Sequence, residues 1–260
     1  MKQFIETYWK TLLFFTITGL IGGFFVGIYQ LESFPAEIQQ QVIDELNQSG
    51  LGDFPVNFVV GIVSAYQSAV YGFLLGAIGI WLGKKTVLWK DETKIEKNPL
   101  VKAIIISVVG GFAMILLDIF IFGKYSQILM GLYATKPSIP YLIAMVTYGG
   151  VIEEVMLRLF FMSLIAFILY KLFETNKDKP STTVLIISNI IASFLFAAGH
   201  IPLTSILFGL TPMFLFRCFL LNGGLGLMFG WLYRKYGMRY SMIAHGGCHI
   251  VSKLIWILFI

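Results

Sequence analysis

Two adjacent carboxylates and an arginine, Glu153, Glu154 and Arg158, lie inside an apolar stretch of the chain, between the segments 141–148 and 159–169. Burying an ionisable group in a bilayer costs free energy unless the group is paired or lies in a water-filled cavity. Such groups therefore usually indicate a functional site. Residues four apart share a helix face, so Glu154 and Arg158 can pair. Glu153 lies about 100° around the helix from Glu154 and stays free to hold a proton, a water or a metal. The alternative is a purely structural ion pair that includes Glu153.

The three histidines of the chain, His200, His245 and His249, all lie within or at the end of apolar runs. His245 and His249 are four residues apart, so both imidazoles can reach one metal or one water. A single histidine in an apolar helix is more often a core residue than a ligand, but three beside a free glutamate favour a site. Histidine with carboxylate performs acid–base hydrolysis and also binds zinc.

The composition excludes an ordinary soluble domain, because 57% of the 260 residues are hydrophobic and only 13% are charged. Most of the chain is expected to form membrane spans of about 20 residues each. No basic run with interleaved aromatic residues occurs in a soluble segment, so nucleic-acid binding is not expected. The two cysteines, Cys218 and Cys248, have apolar neighbours and form no disulfide framework.

Seven apolar stretches predict seven membrane spans, at about 12–29, 58–82, 101–122, 141–173, 183–199, 213–233 and 240–260. A surface helix is predicted over 35–46. The first apolar run is too long for a signal-peptide core, so we expect a retained span.

Lysine and arginine concentrate at the N-terminus and in the loops 84–100, 174–182 and 234–239, whereas the segment 32–55 has neither. The positive-inside rule then predicts a multi-pass cell-membrane protein with a cytoplasmic N-terminus.

Three motifs on successive spans together resemble those of the CPBP intramembrane proteases: Glu153-Glu154-x-x-x-Arg158, Phe196-x-x-x-His200 and His245-x-x-x-His249. That family includes the type II CAAX prenyl endopeptidases and the bacterial abortive-infection and bacteriocin self-immunity membrane proteins. The resemblance covers about 140–255, so we divide the chain into N-terminal spans, 1–135, and a protease-like core, 136–260. It implies an all-α, polytopic transmembrane helical bundle of about seven spans, with the site held by the last four.

The resemblance also implies roles for the site residues. Glu153 and His200 would activate a water, and His245 and His249 would stabilise the oxyanion. His249 stands where the family usually has Asn or Asp; an imidazole N–H can also donate to an oxyanion. The same histidine completes a candidate zinc set of Glu153, His200, His245 and His249. A zinc enzyme and a metal-free, glutamate-type enzyme are therefore both open.

We expect an intramembrane endopeptidase that cleaves a membrane-associated peptide or protein within the lipid bilayer. The substrate could be a prenylated C-terminal peptide, a pheromone or bacteriocin precursor, or another membrane protein. One alternative is a proton- or metal-coupled transporter, because Glu and His in spans also form proton relays. Another is a membrane regulator that keeps the fold without the chemistry. Nothing in the pattern sets an oligomeric state.

Helical rise places the site residues at different depths. Glu153 lies about 20 Å along the fourth span and His245 about 8 Å into the last, from the opposite side, while His200 ends the fifth span. They can meet only if spans five to seven are tilted, short or broken, for which Pro202 gives one opportunity. Elsewhere, Asp118 is expected near the outer interface, and Arg217 should snorkel or pair with a carboxylate.

Overall fold

The computed structural model describes residues 2–91 and 94–260, so that residues 92 and 93 of the lysine-rich loop 84–100 lie outside it. Its regular elements are all helical. Seven helices of the described chain are long and apolar enough to cross a membrane. We number these spans one to seven: Gln3–Ser33, Val56–Lys85, Lys97–Tyr125, Ile139–Phe173, Thr182–Phe208, Pro212–Tyr236 and Met238–Phe259. The predicted all-α bundle of seven spans is confirmed.

Among the described residues, three spans change from α-helix to the wider π-helix part-way along their length. The π-helical segments are Tyr71–Leu75 in span two, Met145–Glu153 and Val155–Met162 in span four, and Phe219–Gly223 in span six. π-helical turns are rare and occur frequently at functional sites. Span four has two of them: the first ends at Glu153, and the two flank Glu154.

The fifth span consists of two consecutive helices and extends beyond the predicted helix. Its first helix, Thr182–Gly199, is followed directly by a second helix, Ile201–Phe208, with His200 at the junction. The predicted helix end at residue 199 is confirmed. The span nevertheless continues, because Pro202 lies in the first turn of the second helix, where a missing backbone N–H leaves no hydrogen bond unmade. His200 therefore lies at a break inside a 27-residue span rather than at its end.

Two short helices lie outside the spans. The predicted surface helix is present as Ala36–Gln48, and none of its residues is buried. A second helix, Gln127–Tyr133, lies between spans three and four. Its N-terminus is capped by the Ser126 hydroxyl, which accepts a hydrogen bond from the backbone N–H of Leu129.

Spans four and seven cross at a point where both backbones carry glycine. A Cβ atom added to Gly150 would lie 2.8 Å from the Cα atom of Gly246. Only glycine permits this approach, which small residues allow in membrane bundles. The crossing brings the helix that carries Glu153 against the helix that carries His245, and together with the break at His200 it removes the conflict of depths.

Candidate active site

Three residues from three spans converge at the centre of the candidate site. The Glu153 carboxylate lies between two imidazoles, with Oε1 4.0 Å from Nε2 of His200 and Oε2 3.8 Å from Nε2 of His245. These separations are too long for direct hydrogen bonds and match those that one shared water can bridge. The side chain of Glu153 is 20% exposed and that of His245 only 6%, so the site is shielded but reachable.

The other ring nitrogens set the orientation of both imidazoles. Nδ1 of His245 lies 2.9 Å from Oε1 of Glu154, and Nδ1 of His200 lies 2.9 Å from the backbone carbonyl oxygen of Phe196. A carboxylate and a carbonyl can only accept, so each Nδ1 carries a proton. Both Nε2 atoms are therefore directed towards Glu153, free to accept a proton or to donate one when the ring is charged.

Glu154 is completely buried and has three partners. Its carboxylate accepts hydrogen bonds from His245 and from the Ser241 hydroxyl, and Nη1 of Arg158 lies 3.0 Å from Oε1. The pairing expected from the four-residue spacing is present. The guanidinium group also lies 4.5 Å from the ring centroid of Phe196, so a cation–π contact supports the buried charge. Glu154 thus links Arg158 to the imidazole of His245.

His249 lies beside this group, one helical turn beyond His245. Their ring centroids are 5.0 Å apart. A Cβ atom on Gly149 would lie 3.0 Å from Nε2 of His249 and 3.9 Å from Oε2 of Glu153, so glycine at this position leaves the space between them open. Nδ1 of His249 is buried and has no hydrogen-bond partner among the described residues.

A cavity of about 500 Å³ connects these side chains. Glu153 and the three histidines lie in its wall, together with apolar side chains of spans one, four and five, such as Val26, Met156, Leu157, Phe161, Leu195 and Leu203. A pocket with a mostly apolar lining and a few convergent polar groups is typical of a binding site. Its apolar lining suits an apolar ligand segment.

Two polar residues near the site were missed by the sequence reasoning. Asn222 of span six lines the cavity and donates a hydrogen bond from Nδ2 to the carbonyl oxygen of Cys218, at 3.0 Å. Ser241 holds Glu154. A lone amide in an apolar span was the available signal for Asn222, whereas a buried serine is too common in membrane helices to single out Ser241.

The donor atoms do not have the spacing of a zinc site. Tetrahedral zinc with ligands at about 2.0–2.1 Å holds neighbouring donor atoms about 3.3 Å apart, less than the 3.8 and 4.0 Å observed around Glu153. Within residues 2–91 and 94–260, no group of three or more His, Cys, Asp or Glu side chains is arranged to hold a metal ion. The observed spacing does not fit bound zinc, and zinc binding by Glu153, His200, His245 and His249 stays a prediction.

Asp118 and Arg217 form a separate buried cluster that does not join the cavity. Nε and Nη2 of Arg217 donate to the two carboxylate oxygens of Asp118, each at 2.6 Å, and the Tyr133 hydroxyl donates to Oδ2 at 2.9 Å. The carboxylate partner expected for Arg217 is thus Asp118. A bidentate pair of this kind fixes the geometry of spans three and six.

Comparison with known proteins adds one decisive observation. The family model of the type II CAAX prenyl endopeptidases, Rce1-like, matches residues 135–251, a range that contains all six predicted site residues. Residues 135–251 are similar to this family. No curated protein and no solved structure matches the chain.

The Rce1-like match confirms the resemblance inferred from the motifs and implies protease activity. With the seven apolar helices it indicates a multi-pass membrane protein, and it does not favour a transporter or a non-catalytic regulator. The direction of the N-terminus and the division at residue 135 stay predictions. So do the roles of the individual site residues.

Proposed function

We propose that this protein hydrolyses a peptide bond of a membrane-associated peptide or protein, with a water activated by Glu153 and His200. The observation that carries the proposal is the position of the Glu153 carboxylate between two Nε2 atoms, at 4.0 and 3.8 Å. A general base must lie within reach of the proton that it removes, directly or through one water. Glu153 and His200 can share a water from opposite sides.

In the first step Glu153 takes a proton from this water, and the hydroxide oxygen attacks the peptide carbonyl carbon. His200 accepts a hydrogen bond at Nε2 and orients the water, because its Nδ1 proton is fixed on the Phe196 carbonyl. The carbonyl oxygen becomes an oxyanion. Glu153 then gives its proton to the amide nitrogen as the C–N bond breaks, which returns the carboxylate and releases a free acid and an amine.

His245 would stabilise the oxyanion in this scheme. As an imidazolium it donates from Nε2, while Glu154 compensates its charge through Nδ1 at 2.9 Å. A preorganised donor in a shielded site stabilises developing charge more strongly than water does. His249 and the Asn222 amide, which line the same cavity, are candidates for the second donor.

The wall of the cavity indicates where a substrate enters. The cavity reaches Tyr29 and Gln30 near the C-terminal end of span one and Tyr141 near the N-terminal end of span four. These ends lie beside the segment 32–55, which has no lysine or arginine. The lysine-rich loops lie at the other end. With the predicted orientation, the substrate comes from the outer side, which favours a peptide precursor or another membrane protein over a cytoplasmic prenylated tail.

The orientation can be tested by cysteine labelling in intact cells. Gln40 and Lys94 are both exposed, and the native Cys218 and Cys248 are buried, so background labelling is low. Gln40→Cys should react with an impermeant thiol reagent, and Lys94→Cys only after the membrane is made permeable. Labelling of both from the outside would refute the span order, and the reverse pattern would place the cavity mouth in the cytoplasm.

The activity is tested with purified protein in lipid and a set of membrane peptides, with cleavage products identified by mass spectrometry. Wild-type protein should cleave, and Glu153→Gln should abolish cleavage without a loss of thermal stability. Glu32→Gln, which removes a carboxylate from the exposed end of span one, is the matched control and should cleave normally. Cleavage by Glu153→Gln at the wild-type rate would overturn the proposal, and ion uptake into vesicles without any cleavage would favour a transporter.

A further inference from the structure

A second cavity, of about 620 Å³, lies at the opposite end of the bundle, beside the lysine-rich loops. Spans one, two and seven form its walls, together with the segment 89–91 and the C-terminal end of span six. Its described lining contains four cationic residues, Lys10, Lys84, Lys90 and Arg239, and one carboxylate, Asp91. Four cations minus one carboxylate leave three net positive charges around one cavity.

Asp91 is already engaged within the protein. Its Oδ1 accepts hydrogen bonds from the Tyr8 hydroxyl and from Nε1 of Trp89, both at 2.8 Å, and its Oδ2 lies 3.5 Å from Nζ of Lys84. Lys84 in turn donates to the Tyr8 hydroxyl at 2.7 Å. In this network the charges of Asp91 and Lys84 compensate each other.

The cations outside the network have no such partner in the cavity wall. Lys90 donates to the backbone carbonyl oxygen of Lys235, a neutral acceptor, and Nζ of Lys10 lies 5.6 Å from the ring centroid of Trp9. Lys10 and Arg239 are both exposed, on spans one and seven respectively. They form a cationic rim on two sides of the same opening.

Below this rim the wall becomes apolar. Phe14, Phe15 and Met242 line the deeper part of the cavity. Phe14 is 51% exposed on span one, so the apolar wall continues onto the lipid-facing surface of the bundle. A phosphate group above and hydrocarbon chains below would match this arrangement, as basic pockets between membrane helices match acidic lipid headgroups.

We propose that this cavity binds an anionic glycerophospholipid, with the phosphate between Lys10 and Arg239 and an acyl chain along Phe14. The site is independent of the proposed hydrolysis. It lies at the N-terminal end of span seven, whereas His249 lies near the middle of that span, and no residue of the candidate active site lines it. A bound lipid would hold spans one and seven together at the membrane surface.

Binding is tested on the full-length protein in neutral detergent by native mass spectrometry. The probes are phosphatidylglycerol and phosphatidylcholine, and the variants are Lys10→Gln/Arg239→Gln and the control Lys94→Gln/Lys179→Gln. Both control residues are exposed at the same end of the bundle and outside the cavity, so the net charge changes equally. Wild type and control should retain phosphatidylglycerol in preference to phosphatidylcholine. The cavity variant should bind phosphatidylglycerol at least roughly tenfold more weakly than wild type does.

Three outcomes would overturn the proposal. Equal losses in the cavity variant and the control would show general attraction to a basic surface, and unchanged binding in the cavity variant would place the lipid elsewhere. Displacement of the lipid by the same concentration of inorganic phosphate would indicate a site for a soluble anion. If the double variant unfolds, Lys10→Gln and Arg239→Gln are measured singly, and a lack of effect in both again contradicts the site.

Discussion

Glu154 accepts a hydrogen bond at 2.9 Å from Nδ1 of His245, the imidazole whose Nε2 faces Glu153 at 3.8 Å. The two adjacent carboxylates of span four thus contact opposite edges of the same ring. Glu153 lies at the cavity wall, whereas Glu154 lies behind the ring, buried with Arg158 and Ser241. An outer partner of this kind fixes the tautomer and the direction of the histidine.

The first prediction concerns this orientation. Glu154→Gln replaces a carboxylate, which can only accept hydrogen bonds, by an amide that can also donate them. The His245 ring can then turn, and its positive charge is no longer balanced by the carboxylate. We expect kcat for peptide cleavage to fall about 10–100-fold, with a smaller effect on KM. The change is measured by steady-state cleavage together with a thermal melting curve.

Ser241→Ala is the matched control for this variant. It removes a different hydrogen bond from the same carboxylate and leaves the bond between Glu154 and His245 in place. Its loss of kcat should be clearly smaller than that of Glu154→Gln. Wild-type kcat in a folded Glu154→Gln protein would show that Glu154 does not position His245.

A second prediction follows from the burial of Arg158, whose side chain is 1% exposed. Arg158→Ala leaves Glu154 charged and without its guanidinium partner, and it removes the cation–π contact with Phe196. Breaking a buried pair in this way costs about 3–5 kcal/mol, so the yield of folded protein and the activity should fall together. Lys171→Ala, an exposed cation of the same span, should change neither. A full yield and a normal melting temperature for Arg158→Ala would count against a structural role of the pair.

The third prediction tests the crossing of spans four and seven. The new Cβ atom of Gly150→Ala would meet backbone atoms of Gly246, at 2.8 Å from Cα, so the two helices must separate. Overpacking of this kind costs about 1–3 kcal/mol, and the shift should move Glu153 away from His245 and lower kcat. Gly224→Ala is the control, because nothing lies within 4 Å of its Cβ position; alanine there should be neutral or stabilising. Equal activity of the two variants would mean that the crossing distance does not set the geometry of the site.

The sequence predicts those relationships that lie along one helix. The spacing of Glu154 and Arg158 predicts their ion pair, and the spacing of His245 and His249 places two imidazoles side by side. The hydrogen bond from His245 to Glu154 joins residues 91 positions apart, and helical periodicity carries no information about contacts between spans. Only the order of the three motifs, read as a family resemblance, indicated that these spans meet.

The position of His200 was harder to predict for a different reason. Proline can end a helix or begin the next one, and the sequence does not distinguish these outcomes. In the structure Pro202 begins a new helix, which keeps His200 inside the span and within 4.0 Å of Glu153. Asn222 was missed because one amide in an apolar span forms no pattern with its neighbours.

The fourth prediction separates an oxyanion donor from a metal ligand at His249. If His249 acts as a donor, His249→Asn should keep most of the activity, because the amide N–H replaces the imidazole N–H. His249→Ala should then lose about 10²–10³ in rate. If Glu153, His200, His245 and His249 bind zinc, His249→Asn should lose metal and activity together, because asparagine is a poor zinc ligand, and chelators should inactivate the wild type.

We favour the donor role, because the 3.8 and 4.0 Å separations around Glu153 exceed those of zinc ligands. The measurements are the cleavage rates of wild type, His249→Asn and His249→Ala, and the zinc content of each purified protein. Retained cleavage by His249→Asn, with a wild type that resists chelators, is the expected result. An inactive His249→Asn protein that has lost bound zinc would instead establish a metal centre at these four residues.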